Sequence, residues 1–99
     1  MNYNFFVYII TNIHKSVLYT GVTNDLQRRL FQHNDNSKNY KTSFAGKYNC
    51  VYLLYWERFQ FIEHAIEREK HIKGWTRIKK IELIKTINPE LKFLNSELE

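Results

Sequence analysis

The stretch Phe5-Phe6-Val7-Tyr8-Ile9-Ile10 is apolar at odd and even positions alike, and it is answered a short way on by Leu18-Tyr19-Thr20-Gly21-Val22. A run with no polar side suits a strand covered on both faces, which puts residues 5–10 at the centre of a sheet. The second stretch reads as a strand over 17–22, closed by Gly21 and the polar cluster Thr23-Asn24-Asp25. The link between them is short and polar, so the pair is expected as a hairpin. With Tyr8 opposite Tyr19, Thr11 stands opposite Ser16 and residues 12–15 form the loop. Both phenols then share one face of the sheet.

The rest of the chain arranges itself around that hairpin. Thr23 or Asn24 is placed to cap a helix running to about residue 34, with Asp25 in its first turn. Leu26 and Leu30 give this helix its apolar stripe, and Arg29 and His33, four apart, lie along the stripe's edge. Residues 35–49 are polar and basic, with Tyr40, Phe44 and Tyr48 between Lys38, Lys41 and Lys47, and read as a long loop or short helix suited to contacting a substrate. A third strand is expected over 51–56. A second helix follows over 60–73, stopped by Gly74, and a third over 76–87 with Ile78, Ile81 and Ile84 inward, ended by Asn88-Pro89. The domain is expected over 1–90, with 91–99 as a C-terminal tail.

Composition narrows the partners. The chain has 99 residues, a size that fits one domain. It is 43% hydrophobic and 16% aromatic, which excludes a disordered polyelectrolyte. Lys and Arg number 15 against 10 Asp and Glu, giving +5 and favouring a polyanionic partner. Cys50 is the single cysteine, so neither an internal disulfide nor a cysteine metal cluster is possible, as expected for a cytoplasmic protein. No stretch approaches the roughly 20 apolar residues of a membrane span, and no membrane partner is expected. No protein partner can be inferred.

Glu69 is the most telling single residue. The second helix is apolar at Phe61, Ile62, Ala65, Ile66 and Ile72, and at 100° per residue position 69 falls near the middle of that stripe, while Glu67 falls on the far side. A carboxylate there is costly unless paired. Two partners suit it: a metal ion, or an arginine such as Arg29 or Arg68. Tyr8 and Tyr19 likewise have two readings, as ordinary strand aromatics or as a same-face pair beside Gly21, which permits close backbone approach. Lys70, Lys73, Trp75, Arg77, Lys79 and Lys80 form a basic cluster with one aromatic. It is either a solvated helix face or a phosphate-binding surface with base stacking on Trp75. The remaining histidines, His14, His64 and His71, lack zinc-ligand spacing.

Taken in order, these phrases resemble the GIY-YIG nuclease superfamily, in particular its small bacterial members. Val7-Tyr8-Ile9 and Tyr19-Thr20-Gly21 stand for the two name-giving motifs. Thr23-Asn24-Asp25-Leu26 with Arg29 and His33 looks like the first family helix. Glu67-Arg68-Glu69-Lys70 followed by Ile72-Lys73-Gly74-Trp75 looks like the metal-binding helix, and Asn88-Pro89 like the usual close. The first motif lacks its glycine, since Phe6 precedes Val7. Val22 stands where DNA-repair members place a lysine, and Leu91 where small members often have tryptophan. The resemblance implies an α+β fold, with a small three-stranded antiparallel sheet flanked by helices. It also implies hydrolysis of nucleic-acid phosphodiesters with one Mg²⁺ or Mn²⁺, DNA being favoured over RNA. Catalytic roles are implied for Tyr8, Tyr19, Arg29, His33 and Glu69, with Glu69 as the metal ligand. Lys47, Lys70, Lys73, Trp75, Arg77, Lys79 and Lys80 are the expected nucleic-acid contacts. Local lowering of the Tyr8 pKa by nearby cations is one route by which it would act as a base.

Overall fold

The computed structural model describes residues 4–39 and 49–98, with 33–39 described as helix backbone. Three strands, β1 (Phe5–Thr11), β2 (Leu18–Thr23) and β3 (Tyr52–Phe59), form one antiparallel sheet in the order β2-β1-β3. Among the described residues three α-helices flank it: α1 (Leu26–Asn39), α2 (Ile62–Lys73) and α3 (Arg77–Lys85). A 3-10 turn, Asn95–Leu98, ends the described chain.

β1 is central because both its faces are covered. Val7 and Ile9 pack with Ala65 and Ile72 of α2 and Ile84 of α3. Tyr8 and Ile10 pack with Leu26 and Leu30 of α1. The alternation of side chains along a strand thus sends one set to each helical layer. All four of these β1 residues are fully buried.

The hairpin register differs from expectation. Gly21, not Tyr19, stands opposite Tyr8, and Tyr19 stands opposite Ile10. The slip is two residues, so the phenols keep a common face and become diagonal neighbours. The reason lies in the loop, which spans 12–17. Asn12 Oδ1 accepts the Ser16 and Val17 amides at 2.9 and 3.2 Å, a side-chain-built turn that holds Ser16 and Val17 out of the ladder. Lys15 takes positive φ at its tip.

The helix boundaries also move. Asp25 caps α1, its Oδ1 accepting the Arg28 amide at 3.2 Å, where Thr23 or Asn24 was expected. Thr23 instead accepts the Asp25 amide and sets the turn before the cap. α1 continues to Asn39, past its expected end near residue 34 and into the stretch read as a long loop or short helix. Thr76 caps α3 as its sequence position suggests. Ile84 is buried and Ile81 packs on the core, but Ile78 is 73% exposed. It lies in the first turn of α3, whose start is tied to the hairpin loop instead of the core.

The β1–β3 ladder carries a bulge. Ile9 pairs with Tyr55 and Ile10 with Leu53, leaving Leu54 over. Leu54 and Tyr55 therefore both join the α2-side core. The Leu54 carbonyl accepts Asn88 Nδ2 at 2.9 Å, and the same side chain bonds the Lys92 amide and carbonyl. Asn88 thereby fastens the end of the domain to the bulge. The tail beyond it does not leave the body: Leu94 N donates to Leu53 O at 2.7 Å, Asn95 brackets Leu53 N and Val51 O, and Phe93 stacks on Tyr52. It covers the outer edge of β3, which would otherwise present unpaired backbone groups.

Candidate active site

Four of the five expected catalytic residues fall into one run of contacts that crosses the sheet from α1 to α2. It begins at Arg29, at the end of the first turn of α1, whose Nε–H donates to the Tyr8 hydroxyl at 3.2 Å. Its Nη1 donates to Gln32 Oε1 at 3.3 Å, one turn further along the helix. The guanidinium is thus aimed from both sides. The Tyr8 and Tyr19 rings lie 6.5 Å apart, centre to centre. Lys73 Nζ sits 5.9 Å from the centre of the Tyr19 ring and 2.7 Å from Glu69 Oε1. Lys73 and Glu69 are one turn apart on α2, and their pairing ends the run.

Gly21 makes the Tyr8 position possible. A Cβ built on Gly21 would lie 2.4 Å from the Tyr8 hydroxyl and 2.5 Å from Cζ. No glycine among the described residues has positive φ, so Gly21 is needed for space and not for backbone freedom. The second motif's glycine thus serves the first motif's tyrosine across the ladder.

The electrostatics differ from expectation at one point. Burial pushes the Tyr8 phenol above its ordinary pKa, and the hydrogen bond and charge of Arg29 offset this only in part; Tyr19 and Glu69 add to the rise. Arg29 lowers the phenol as expected of a cation, but desolvation by burial outweighs it and the net direction is upward. At neutral pH Tyr8 is a phenol. Arg29 is raised in turn, first by its hydrogen bond to Tyr8, and stays a cation.

Glu69 is 8% exposed, on the same side of α2 as the buried Ala65 and Ile72. The helical phase thus places the carboxylate on the core face, as read. Its partner is neither Arg29 nor Arg68. Arg68 turns to β3 and forms a two-pronged bond with Glu57, at 2.9 Å for the shorter contact. Tyr55 donates its hydroxyl to the same Glu57 carboxylate. The donor set in the run is one carboxylate, and no group of three His, Cys, Asp or Glu stands together among the described residues. One hard oxygen ligand suits a small divalent ion that keeps several waters and takes further oxygens from a phosphate. Lys73 pairs with that oxygen, but its side chain is 53% exposed and flexible, so it can yield.

The basic cluster divides. Lys73 belongs to the run itself. Arg77 donates to the Ser16 and Lys15 carbonyls and ties α3 to the hairpin loop. Lys79 Nζ lies 4.4 Å from the centre of the Trp75 ring, and the Arg68 guanidinium 5.3 Å from it. Trp75 is half-buried and packs on the core, with both cations against it. Lys70 is exposed, and Lys80 half-buried. His33 lies on α1, but its side chain is outside the described residues, as is Lys47. Sequence reasoning missed Gln32, whose i, i+3 spacing from Arg29 was available as a signal. It also missed Lys73 as the partner of Glu69, although the i, i+4 spacing was there.

No described helix is long and apolar enough to cross a membrane. Comparison with known proteins finds 36% identity over 80 residues to UPF0213 proteins of Staphylococcus aureus strains Mu3 and MW2, covering 81% of this chain and 93% of theirs. The solution NMR structure of a UPF0213 protein from Bacillus halodurans superposes with a TM-score of 0.55 at 29% identity, covering 94% of this chain and 93% of that one. Residues 4–82 match the GIY-YIG catalytic domain. That span holds Tyr8, Gly21, Tyr19, Arg29 and Glu69 together, and the chain belongs to the GIY-YIG catalytic domain family.

Proposed function

We propose that the chain is an endonuclease that hydrolyses nucleic-acid phosphodiesters with one divalent ion, and that DNA is its preferred substrate. The observation that carries this reading is the run from Arg29 through Tyr8 and Tyr19 to Glu69, which gathers a cation, two phenols and a core-face carboxylate. A protein that only binds nucleic acid has no need of a carboxylate in that place.

Glu69 would hold Mg²⁺ or Mn²⁺. When bound, such an ion polarises a phosphate and stabilises a leaving oxygen. Arg29, fixed by Tyr8 and Gln32, neutralises charge that develops on the phosphate, and being pre-aimed it needs little reorganisation. Tyr8 is a neutral phenol at rest, and its hydroxyl oxygen already accepts the Arg29 Nε–H. It orients the attacking water and relays its proton, taking that proton while giving up its own, and His33 of α1 is the proposed acceptor. Tyr19 orients water or phosphate. Lys47, Lys70 and Lys80 contact the backbone of the substrate by charge.

One observation favours a second reading. Lys73 already satisfies Glu69 at 2.7 Å, as it would in a binding module that had no use for a metal. A panel of single-stranded and duplex DNA and RNA, with Mg²⁺, Mn²⁺ or EDTA, separates the two. Cleavage that stops with EDTA supports the nuclease. Retention of nucleic acid without cleavage under any metal supports the module. Full cleavage by verified metal-free protein ends the one-metal reading.

A further inference from the structure

We infer that Lys73 is a built-in competitor for the metal site, occupying Glu69 as its counter-cation in the metal-free protein and having to leave before a divalent ion can bind. The inference rests on the reading of Glu69 as the metal ligand.

Three features point to it. First, Glu69 is on the core face, where an uncompensated carboxylate is costly, and its ion pair is with Lys73. The two arginines expected as its partners are committed elsewhere: Arg68 to Glu57, Arg29 to Tyr8 and Gln32. Second, the two partners are unequal. The carboxylate is 10% exposed and the ammonium's side chain 53%, so the carboxylate stays and the ammonium is the member free to swing into water. Third, Lys73 Nζ also lies by the face of Tyr19, within the run where a substrate phosphate would sit. A departing ammonium therefore has a second partner within reach of its flexible stem.

The consequence is thermodynamic. A divalent ion binding Glu69 must displace a resident charge, so its affinity for the free protein is held down by the strength of that pair. Anything that draws Lys73 away raises that affinity, and by linkage the metal favours whatever draws it. Metal loading is thereby tied to the presence of a polyanion.

Mn²⁺ binding to the substrate-free protein, followed by electron paramagnetic resonance, tests this without reference to cleavage. Lys73→Gln is expected to bind Mn²⁺ about fivefold more tightly than the wild type, the factor a modest ion pair sets. Lys73→Arg keeps a pairing cation and is expected to stay near the wild-type value. Thermal melts supply a second readout: Lys73→Gln loses stability without metal and regains more on adding Mn²⁺ than the wild type does. Unchanged or weaker Mn²⁺ binding by Lys73→Gln, with Glu69→Gln abolishing it, would overturn the competitor role and leave the metal site standing. Mn²⁺ binding that survives in Glu69→Gln would instead remove the ligand assignment on which the inference rests.

Discussion

The phenol of Tyr8 rests on Gly21 so closely that a single methyl group at that glycine would stand 2.4 Å from the Tyr8 hydroxyl. Real Cβ contacts do not come so near, so one of the two residues would have to move. Neither is free to. Tyr8 is fully buried on the central strand and held by Arg29, and Gly21 is its ladder partner. Gly21→Ala is expected to cost about 1–3 kcal/mol of stability through overpacking, and to lower activity by displacing the hydroxyl. Gly74→Ala is the control. Its new Cβ meets nothing nearer than the His71 carbonyl at 3.5 Å, and its backbone is already right-handed. It should be neutral or slightly stabilising. Urea melts of the two variants check both, and equal effects would refute the cradle.

Arg29 and its neighbour Arg28 should behave oppositely. Arg29 gives its Nε–H to Tyr8 and an Nη to Gln32. A lysine cannot place one donor on each, and a point charge does not replace a planar fork. Arg29→Lys should lower turnover about a hundredfold, the scale for one pre-aimed donor, with nucleic-acid affinity kept within a few-fold. Arg28 is exposed on the same helix, and Arg28→Lys should be nearly silent in turnover. A swap of these outcomes would mean that the wrong face of α1 has been assigned to the site.

Alkaline pH should expose the buried phenols. The pKa values of Tyr8 and Tyr55 are both raised, first by burial; at Tyr55 the hydrogen bond to Glu57 adds to it. In the unfolded chain both lose their protons near the ordinary phenol value of about 10. The folded chain holds them to higher pH. Their contribution to stability is therefore complete below pH 10 and is lost as pH rises toward the folded values. Tyr8→Phe and Tyr55→Phe should each flatten the fall of melting temperature above pH 10. A decline of the same steepness in both variants would assign it to other groups.

Much of this site was legible before the structure, and the reasons differ by residue. Glu69 was readable because helical phase is rigid: a carboxylate at position 69 must face where Ala65 and Ile72 face. The shared face of Tyr8 and Tyr19 survived a wrong register because strand parity repeats every two residues. The register itself was not legible, since it hangs on the side chain of Asn12 organising the loop. Nor was the bulge at Leu54, or the service of Asn88 to its carbonyl, because each joins segments distant in sequence. The basic cluster misled for a related reason. Charge is visible in sequence, but whether a cation is spent on a carbonyl or a ring is not.

That division of the cluster changes the expected salt dependence. Each cation that leaves its counterions for a phosphate adds roughly one unit to the slope of log affinity against log salt. Lys70 is exposed, so Lys70→Gln should flatten the slope by about one unit. Arg77 already serves the Ser16 and Lys15 carbonyls. Arg77→Gln should leave the slope nearly unchanged and instead lower stability by about 1 kcal/mol, the scale of a lost hydrogen bond. Binding titrations over a salt series, beside melts, distinguish the two. A slope that falls equally in both variants would return Arg77 to the nucleic-acid surface.

Glu69 offers the sharpest separation of function from stability. Had it been the partner of a buried arginine, its removal would strand a charge and cost roughly 3 kcal/mol or more. The cation it pairs with is Lys73, whose side chain is 53% exposed. When the carboxylate goes, that ammonium turns to water on its flexible stem. The pair lies between surface and core, and its loss is offset by relief of the carboxylate's own desolvation. Glu69→Gln and Glu69→Leu should therefore melt within about 1 kcal/mol of the wild type when metal is absent. Glu69→Leu should be the more stable of the two, because an apolar side chain suits the face shared with Ala65 and Ile72. Both should lack cleavage and metal-induced stabilisation, since no other described carboxylate lies in the run to replace the ligand. Melts with and without Mn²⁺, beside a nuclease assay, decide it. A large drop in melting temperature with cleavage retained would make Glu69 a structural residue and end its assignment as a metal ligand.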